Sequence, residues 1–355
     1  MAESRKRLRY IDFYKALSII LVVLAHINFA NLGLKPWING FVIPAFFFAS
    51  GLLLKSDQGF SFGDSAQFIW KRFQALMIPY FLWAMLFSAL SLQNLVKIAY
   101  GSHVMLLSAG SLSSLWFLPT LFLSLLYFAV VRMTLKKHFL FPVKLAMIAV
   151  AFAVSFLLPS MSKGYPWCFD VSFSAFGFLL LGNTVLPMIK AFHERCSDGK
   201  MGAAVCGLVL LLSFAGTMIY RLNLPFVGNH VMVAEARYGN PLLFLLTAMF
   251  GIVFTMAAAV LLDLLLPLVG SAPRAITYIG ENTMALFVVQ KPVIAVFRKA
   301  FDFIPLPSAV ALIVTCFGTT LICCLIAMLL NHYIPISVGR VPPIGNTMIM
   351  KPGKD

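Results

Sequence analysis

Repeated apolar stretches of about 20 residues, set apart by short polar breaks, restrict this chain more than any other feature of its sequence. A helix of roughly that length crosses the hydrocarbon core of a bilayer, and only helices or closed barrels can do so without stranding backbone polar groups. Runs near 11–33, 40–54, 68–92, 113–131, 143–159, 169–190, 202–220, 241–262, 276–297 and 309–332 meet or approach the length. The expectation is an all-α, polytopic integral membrane protein with about ten transmembrane helices. Residues 1–335 would form a single transmembrane domain and 336–355 a short cytoplasmic tail. The second run is short and the third opens in polar sequence, so both are expected to tilt or to enter obliquely.

Composition agrees. Hydrophobic residues make up 61% of the chain and charged residues only 11%, against about 25% charged in soluble domains. The net charge of +15 does not imply nucleic acid as a partner, because the basic residues lie in short loops and form no single stripe. Positive charge in short loops marks the cytoplasmic side. With the N-terminus inside, that side collects Arg5, Lys6, Arg7 and Arg9, then Arg132, Lys136, Lys137 and Lys144, among others. The opposite loops hold only Lys35, Lys97, Lys163, Arg221, Arg237, Arg298 and Lys299. Both termini are therefore expected in the cytoplasm. The opening apolar run contains Lys15 and His26 and ends without a small-residue cleavage site, so it reads as the first helix and not as a signal peptide. The six cysteines follow neither zinc-ligand spacing nor a disulfide framework, and no metal is expected.

Ionisable groups inside spanning helices are costly and commonly functional. The first helix carries Asp12, Lys15 and His26. At 100° and about 1.5 Å per residue, all three fall on one stripe, with His26 about 16 Å beyond Lys15 along the axis. That spacing predicts an Asp12–Lys15 pair near the cytoplasmic mouth and an imidazole deep in the bilayer, beyond its middle. Neutral imidazole takes a proton from a hydroxyl near physiological pH, as a general base must. The alternative is that Asp12 and Lys15 snorkel at the interface and His26 bonds a neighbouring helix. Lys71 and Arg72 open the third helix and either hold a phosphate or form an ordinary positive flank. Glu281, Asn282, Gln290 and Lys291 place polar groups on the ninth helix. Glu235 and Arg237 either line a substrate entrance or form a solvated pair.

Several segments together resemble a known family. Arg9-Tyr10-Ile11-Asp12-Phe13-Tyr14-Lys15 followed by Val22-Val23-Leu24-Ala25-His26 is similar to the first-helix signature of membrane-bound acyltransferase family three, and in particular to its branch resembling fucose 4-O-acetylases. PAFFFASG at 44–51, KRFQALMIPY at 71–80, LWFLP at 115–119, FLLLGN at 178–183 and IGENTMAL at 279–286 follow in the same order. Beyond the first-helix signature, the set covers about 30 to 290.

The resemblance implies transfer of an acyl group, usually acetyl, from cytoplasmic acyl-CoA to a hydroxyl of a sugar or other acceptor at a bacterial inner membrane. It implies His26 as the catalytic residue with Lys15 as its basic partner and Asp12 beside them. Arg72, Lys71 and Lys15 would meet the CoA phosphates. Trp116, Glu235, Arg237, Glu281, Asn282 and Gln290 are candidates for the acceptor site. Lys15 stands where many members have arginine, and Gln290 stands where many have histidine. Acetyl-CoA enters as co-substrate, and membrane lipid and a carbohydrate or other hydroxyl compound are the expected partners. The rival expectation is a multi-pass transporter or lipid-linked sugar flippase, for which inverted repeats and broken helices would be the sign.

Overall fold

The computed structural model describes residues 8–27, 33–54, 60–110, 112–135, 140–197, 199–265, 271–304 and 306–340. Among them there is no β-strand, only an isolated bridge between Met232 and Arg237. The long helices are α1 (Arg9–His26), α4 (Phe62–Phe87), α7 (Phe117–Leu135), α8 (Phe141–Leu157), α9 (Phe169–Cys196), α10 (Gly199–Thr217), α12 (Pro241–Leu265), α14 (Thr283–Phe303) and α15 (Ser308–Tyr333). Shorter ones are α2 (Leu34–Asn39), α3 (Val42–Leu52), α5 (Leu92–Tyr100), α6 (His103–Ser108), α11 (Tyr220–Val227) and α13 (Ala272–Glu281). Among the described residues, five stretches are long and apolar enough to cross a membrane: Ser113–Leu135, Pro166–Cys196, Met201–Val227, Pro241–Leu265 and Ser308–Tyr333. On α10 and α15, Leu208, Leu211, Leu212, Ile313, Phe317 and Leu321 point outward, as a surface that faces hydrocarbon requires.

Helix α1 is the axis of the bundle. It packs against α2, α3, α12, α13, α14 and α15, and Phe13, Tyr14, Ala16, Ile19 and Val23 are completely buried around its circumference. A helix with apolar residues buried on most sides belongs in an interior, and its few polar groups must then find partners there. Its first turn is tied down by ionic contacts: Arg9 Nε donates to the Asp263 carboxylate of α12, and His193 of α9 lies 3.0 Å from the other Asp263 oxygen. Tyr10 stacks on His193 with ring centroids 4.4 Å apart.

Two glycine sites set how closely the other helices approach. Gly51 of α3 faces the Leu179 carbonyl of α9, and Gly182 of α9 faces the Phe48 carbonyl of α3. A Cβ at either would collide with backbone, which cannot move aside as a side chain can. Next to Gly182, Asn183 donates to the Leu54 carbonyl at 3.1 Å and accepts from Lys144 Nζ at 3.2 Å, so it joins α3, α8 and α9. Gly280 likewise lets α13 rest on the Asp12 backbone.

Two elements depart from the sequence reading. The run at 40–54 is the second half of a discontinuous pair, α2 and α3, broken between Asn39 and Val42. The run at 276–297 is broken as well, at Asn282 between α13 and α14. There Asn282 Nδ2 donates to the Tyr278 carbonyl at 2.8 Å, and Oδ1 accepts from Asn331 at 2.6 Å and Arg340 at 3.0 Å. These bonds satisfy polar groups that a break inside a bundle would otherwise strand. Helix α1 also ends at His26, not near 33, because Ile27 turns to extended backbone and packs beside Val23, Ile294 and Leu312. Residues 335–338 are no free tail: Trp83 Nε1 donates to the Ser337 carbonyl at 2.7 Å. Most of 336–355 lies outside the described residues, as do Arg5, Lys6, Arg7, Lys136 and Lys137.

Replacing Gly182 by leucine should push α3 and α9 apart at a cost of about 1–3 kcal/mol. The expected outcome is a clearly lower melting temperature of the purified protein, whereas an unchanged melt would mean that the crossing is looser than described.

Candidate active site

His26 stands at the last residue of α1. Its Nδ1 lies 2.8 Å from the Val22 carbonyl. A carbonyl only accepts, so Nδ1 must carry the proton and, in the neutral ring, Nε2 is left with its lone pair. The ring lines a cavity of about 200 Å³ together with Lys35, Asn39, His103, Ser114, Trp116 and His230, among others. Val22, Ile43, Phe117 and Phe287 also line a second, apolar cavity of about 110 Å³ that continues toward Ser50, Leu121, Thr283 and Met284. The two share these four side chains as a common wall. His26 is thus not sealed in packed apolar side chains.

Another wall of the cavity is the segment Val231–Ala234, and the chain that follows it is firmly held. Asn223 of α11 donates to the Tyr238 carbonyl at 2.8 Å and accepts from the Asn240 amide at 2.8 Å. The Tyr238 hydroxyl bonds Ser174 at 2.9 Å and Ser155 at 3.1 Å, fastening the segment to α9 and α8. Arg237 and Glu235 pair at 2.5 Å, and Glu235 also lies 3.0 Å from His103 Nδ1. Burial pulls the His103 imidazole below its ordinary value, and Glu235 offsets this only in part. Burial and then Lys35 lower His230 as well, which leaves both rings inclined to stay neutral. Three or more His, Cys, Asp or Glu side chains poised to hold a metal are not found among the described residues.

The sequence-predicted residues separate into groups. His26 and Trp116 line the cavity, and Trp116 is buried against Phe117. Glu235 and Arg237 follow the Val231–Ala234 wall in the chain and form a pair without lining the cavity themselves. Asp12 and Lys15 do form the expected ion pair, at 3.2 Å, but about 16 Å or more along α1 from His26. Arg72 lies over the Phe68 ring at 5.0 Å beside exposed Lys71. Its neighbour Phe73 packs on Phe122, next to Leu121 of the apolar cavity. Asn282 serves the α13–α14 junction, and Glu281 is exposed beside it. Gln290 is fully buried, donates to the Phe287 carbonyl at 3.3 Å and does not line either cavity.

Two departures from the sequence reading concern His26 itself. It is the terminal residue of α1, which stops there, and not one within a longer helix. It is also joined in the cavity by His103 and His230, which sequence reasoning passed over. Each belongs to a loop-flanked segment, and nothing local in either announces that it folds back over α1. Lys35 registers in the sequence only as a topology charge.

A family model described as "Acyltransferase domain" matches residues 8–328. The chain belongs to acyltransferase family 3. Comparison with curated proteins finds no match. Membership makes this a multi-pass membrane acyltransferase, so the transporter expectation loses its support even though two helices are broken. Within an acyltransferase, a histidine with one nitrogen locked to its own helix and the other left as an acceptor is equipped to take a hydroxyl proton.

The Val22 contact makes an unusual tautomer the expected one. Nitrogen-15 magnetic resonance of histidine-labelled protein should show His26 protonated at Nδ1 when neutral; a proton on Nε2 would remove the geometric basis for a base at this position.

Proposed function

We propose that the protein moves an acyl group, most simply acetyl, from cytoplasmic acyl-CoA to a hydroxyl of a sugar or other cell-envelope acceptor, as the branch resembling fucose 4-O-acetylases does. The observation that carries this reading is His26, with Nε2 left as an acceptor beside a cavity that borders an apolar one. About ten spans in a bacterial inner membrane, with both termini in the cytoplasm, would place Arg9 on the donor side and His26 toward the acceptor side.

On this reading the CoA phosphates meet Arg72, Lys71 and Lys15, which supply positive charge. The apolar cavity takes the end of the pantetheine arm and brings the thioester to its shared wall with the His26 cavity. The acceptor enters from the opposite face and lies against Trp116. His26 Nε2 accepts the hydroxyl proton while the acceptor oxygen attacks the thioester carbonyl and the new C–O bond forms. The C–S bond then breaks, the electron pair leaves with sulfur, and the CoA thiolate takes the proton from His26. Water exclusion by the apolar side protects the thioester from hydrolysis. Asp12 would act on Lys15 and not on the reacting atoms, because their pair is remote from the imidazole.

The test is label transfer. Membranes from cells that make the protein are incubated with radiolabelled acetyl-CoA, and the envelope glycans are isolated and counted. His26→Ala and His26→Gln should lower labelling by about 10²–10⁴-fold while the purified variants still melt cooperatively. Wild-type labelling by both would remove His26 from the reaction. Lys15→Ala is expected chiefly to raise the acetyl-CoA concentration needed for half-maximal rate; an unchanged requirement would make its role structural.

A further inference from the structure

Charge around the His26 cavity is one-sided. Lys35, the second residue of α2, lines it, and no carboxylate pairs with Lys35 among the described residues. Lys291 bonds Ser113 Oγ at 2.7 Å and stands close enough to Lys35, His26 and His103 to act on all three electrostatically. The nearby carboxylate, Glu235, is already engaged by Arg237 and His103 and does not line the cavity. The described lining includes no acidic side chain at all. Part-buried ammonium groups without counter-charge repel one another, and screening by solvent is weaker there than at an open surface.

An anion entering this space would relieve the repulsion, whereas a neutral ligand would leave it in place. We propose that the acceptor carries an anionic group, a carboxylate or a phosphate, close to the hydroxyl that is acylated, and that Lys35 binds this group with His230 beside it. The assignment rests on the acyl-transfer reading of the same cavity, and it narrows the acceptor from any hydroxyl compound to an acidic one. Lys35 and His26 line one cavity whose Val231–Ala234 wall leads into the segment anchored by Asn223 and Tyr238, a preformed space of the kind that recognition of two groups on a single molecule requires.

Binding without an acyl donor tests it. Purified protein in lipid nanodiscs is melted at constant ionic strength with glucuronic acid, glucose 6-phosphate, glucose or inorganic phosphate. Glucuronic acid or glucose 6-phosphate should stabilise it at concentrations where glucose does not. Lys35→Gln, which removes one of the repelling charges and should melt at or slightly above the wild-type temperature when no probe is added, should weaken this effect about tenfold or more. Lys97→Gln, whose ammonium bonds the Ser108 carbonyl instead, should not.

Equal stabilisation by glucose, or an anion effect that survives Lys35→Gln, would overturn the proposal. Inorganic phosphate acting as strongly as the sugar acids would reduce the site to simple anion binding and overturn it too. Because no acyl-CoA is present, these failures refute the anionic acceptor alone, and failed labelling from acetyl-CoA refutes the acyl-transfer reading alone.

Discussion

Enclosure of α1 is the constraint from which the rest follows. A helix wrapped by α2, α3, α12, α13, α14 and α15 cannot present its polar groups to lipid, so each must be answered within the bundle. Arg9 is answered by Asp263, Lys15 by Asp12 and the His26 Nδ1 by Val22. The other imidazole nitrogen is left without a partner on a ring that lines a cavity where α1 ends, and the buried Tyr10 hydroxyl also finds none. The broken pairs α2–α3 and α13–α14 contribute Asn39 and Ile43, and Thr283 and Met284, to the cavities. Interruption of a helix is tolerated in such a bundle where it lines a cavity or is buried with its polar groups bonded, and both conditions are met.

Much of the fold was legible because helix periodicity and apolar length act locally. The ten apolar runs each fall on an observed helix, and the Asp12–Lys15 pair follows from three-residue spacing alone. The recurrent segments also carry a readable glycine: those at 44–51 and 178–183 end in or contain Gly51 and Gly182, which meet across one crossing. The breaks were not legible. At Asn282 the reason is a partnership with Asn331 and Arg340, 49 and 58 residues away, and no window of apolar residues reports it.

The site was legible along α1 and at Trp116, and little beyond them. His26 stands out because an imidazole in an apolar run is costly. His103 and His230 do not, since each sits beside Gly-Ser or Gly-Asn outside the ten long apolar runs, where a histidine draws no notice until the chain folds. What brings them to the cavity is the anchoring of 228–240 by Asn223 and Tyr238 and the Glu235 contact across to His103. Glu235 and Arg237 attracted notice as a pair, and they do pair, while the contact of Glu235 with His103 has no counterpart in the sequence pattern.

The two cavities differ in character on either side of Val22, Ile43, Phe117 and Phe287. Beyond them, one side is apolar, with Phe46, Leu118 and Leu121; the other carries Lys35, Asn39, Ser114 and three imidazoles. In the proposed transfer, the electrophile is a neutral thioester that gains from dry surroundings, and the nucleophile is a hydroxyl on a polar molecule that needs hydrogen-bonding partners until it reacts. A wall made of four apolar side chains separates these environments while leaving His26 on the polar side. On that proposal the base is placed where the proton is, and attack requires only that the thioester carbon reach the boundary, so the site would solve a problem of access before one of chemistry.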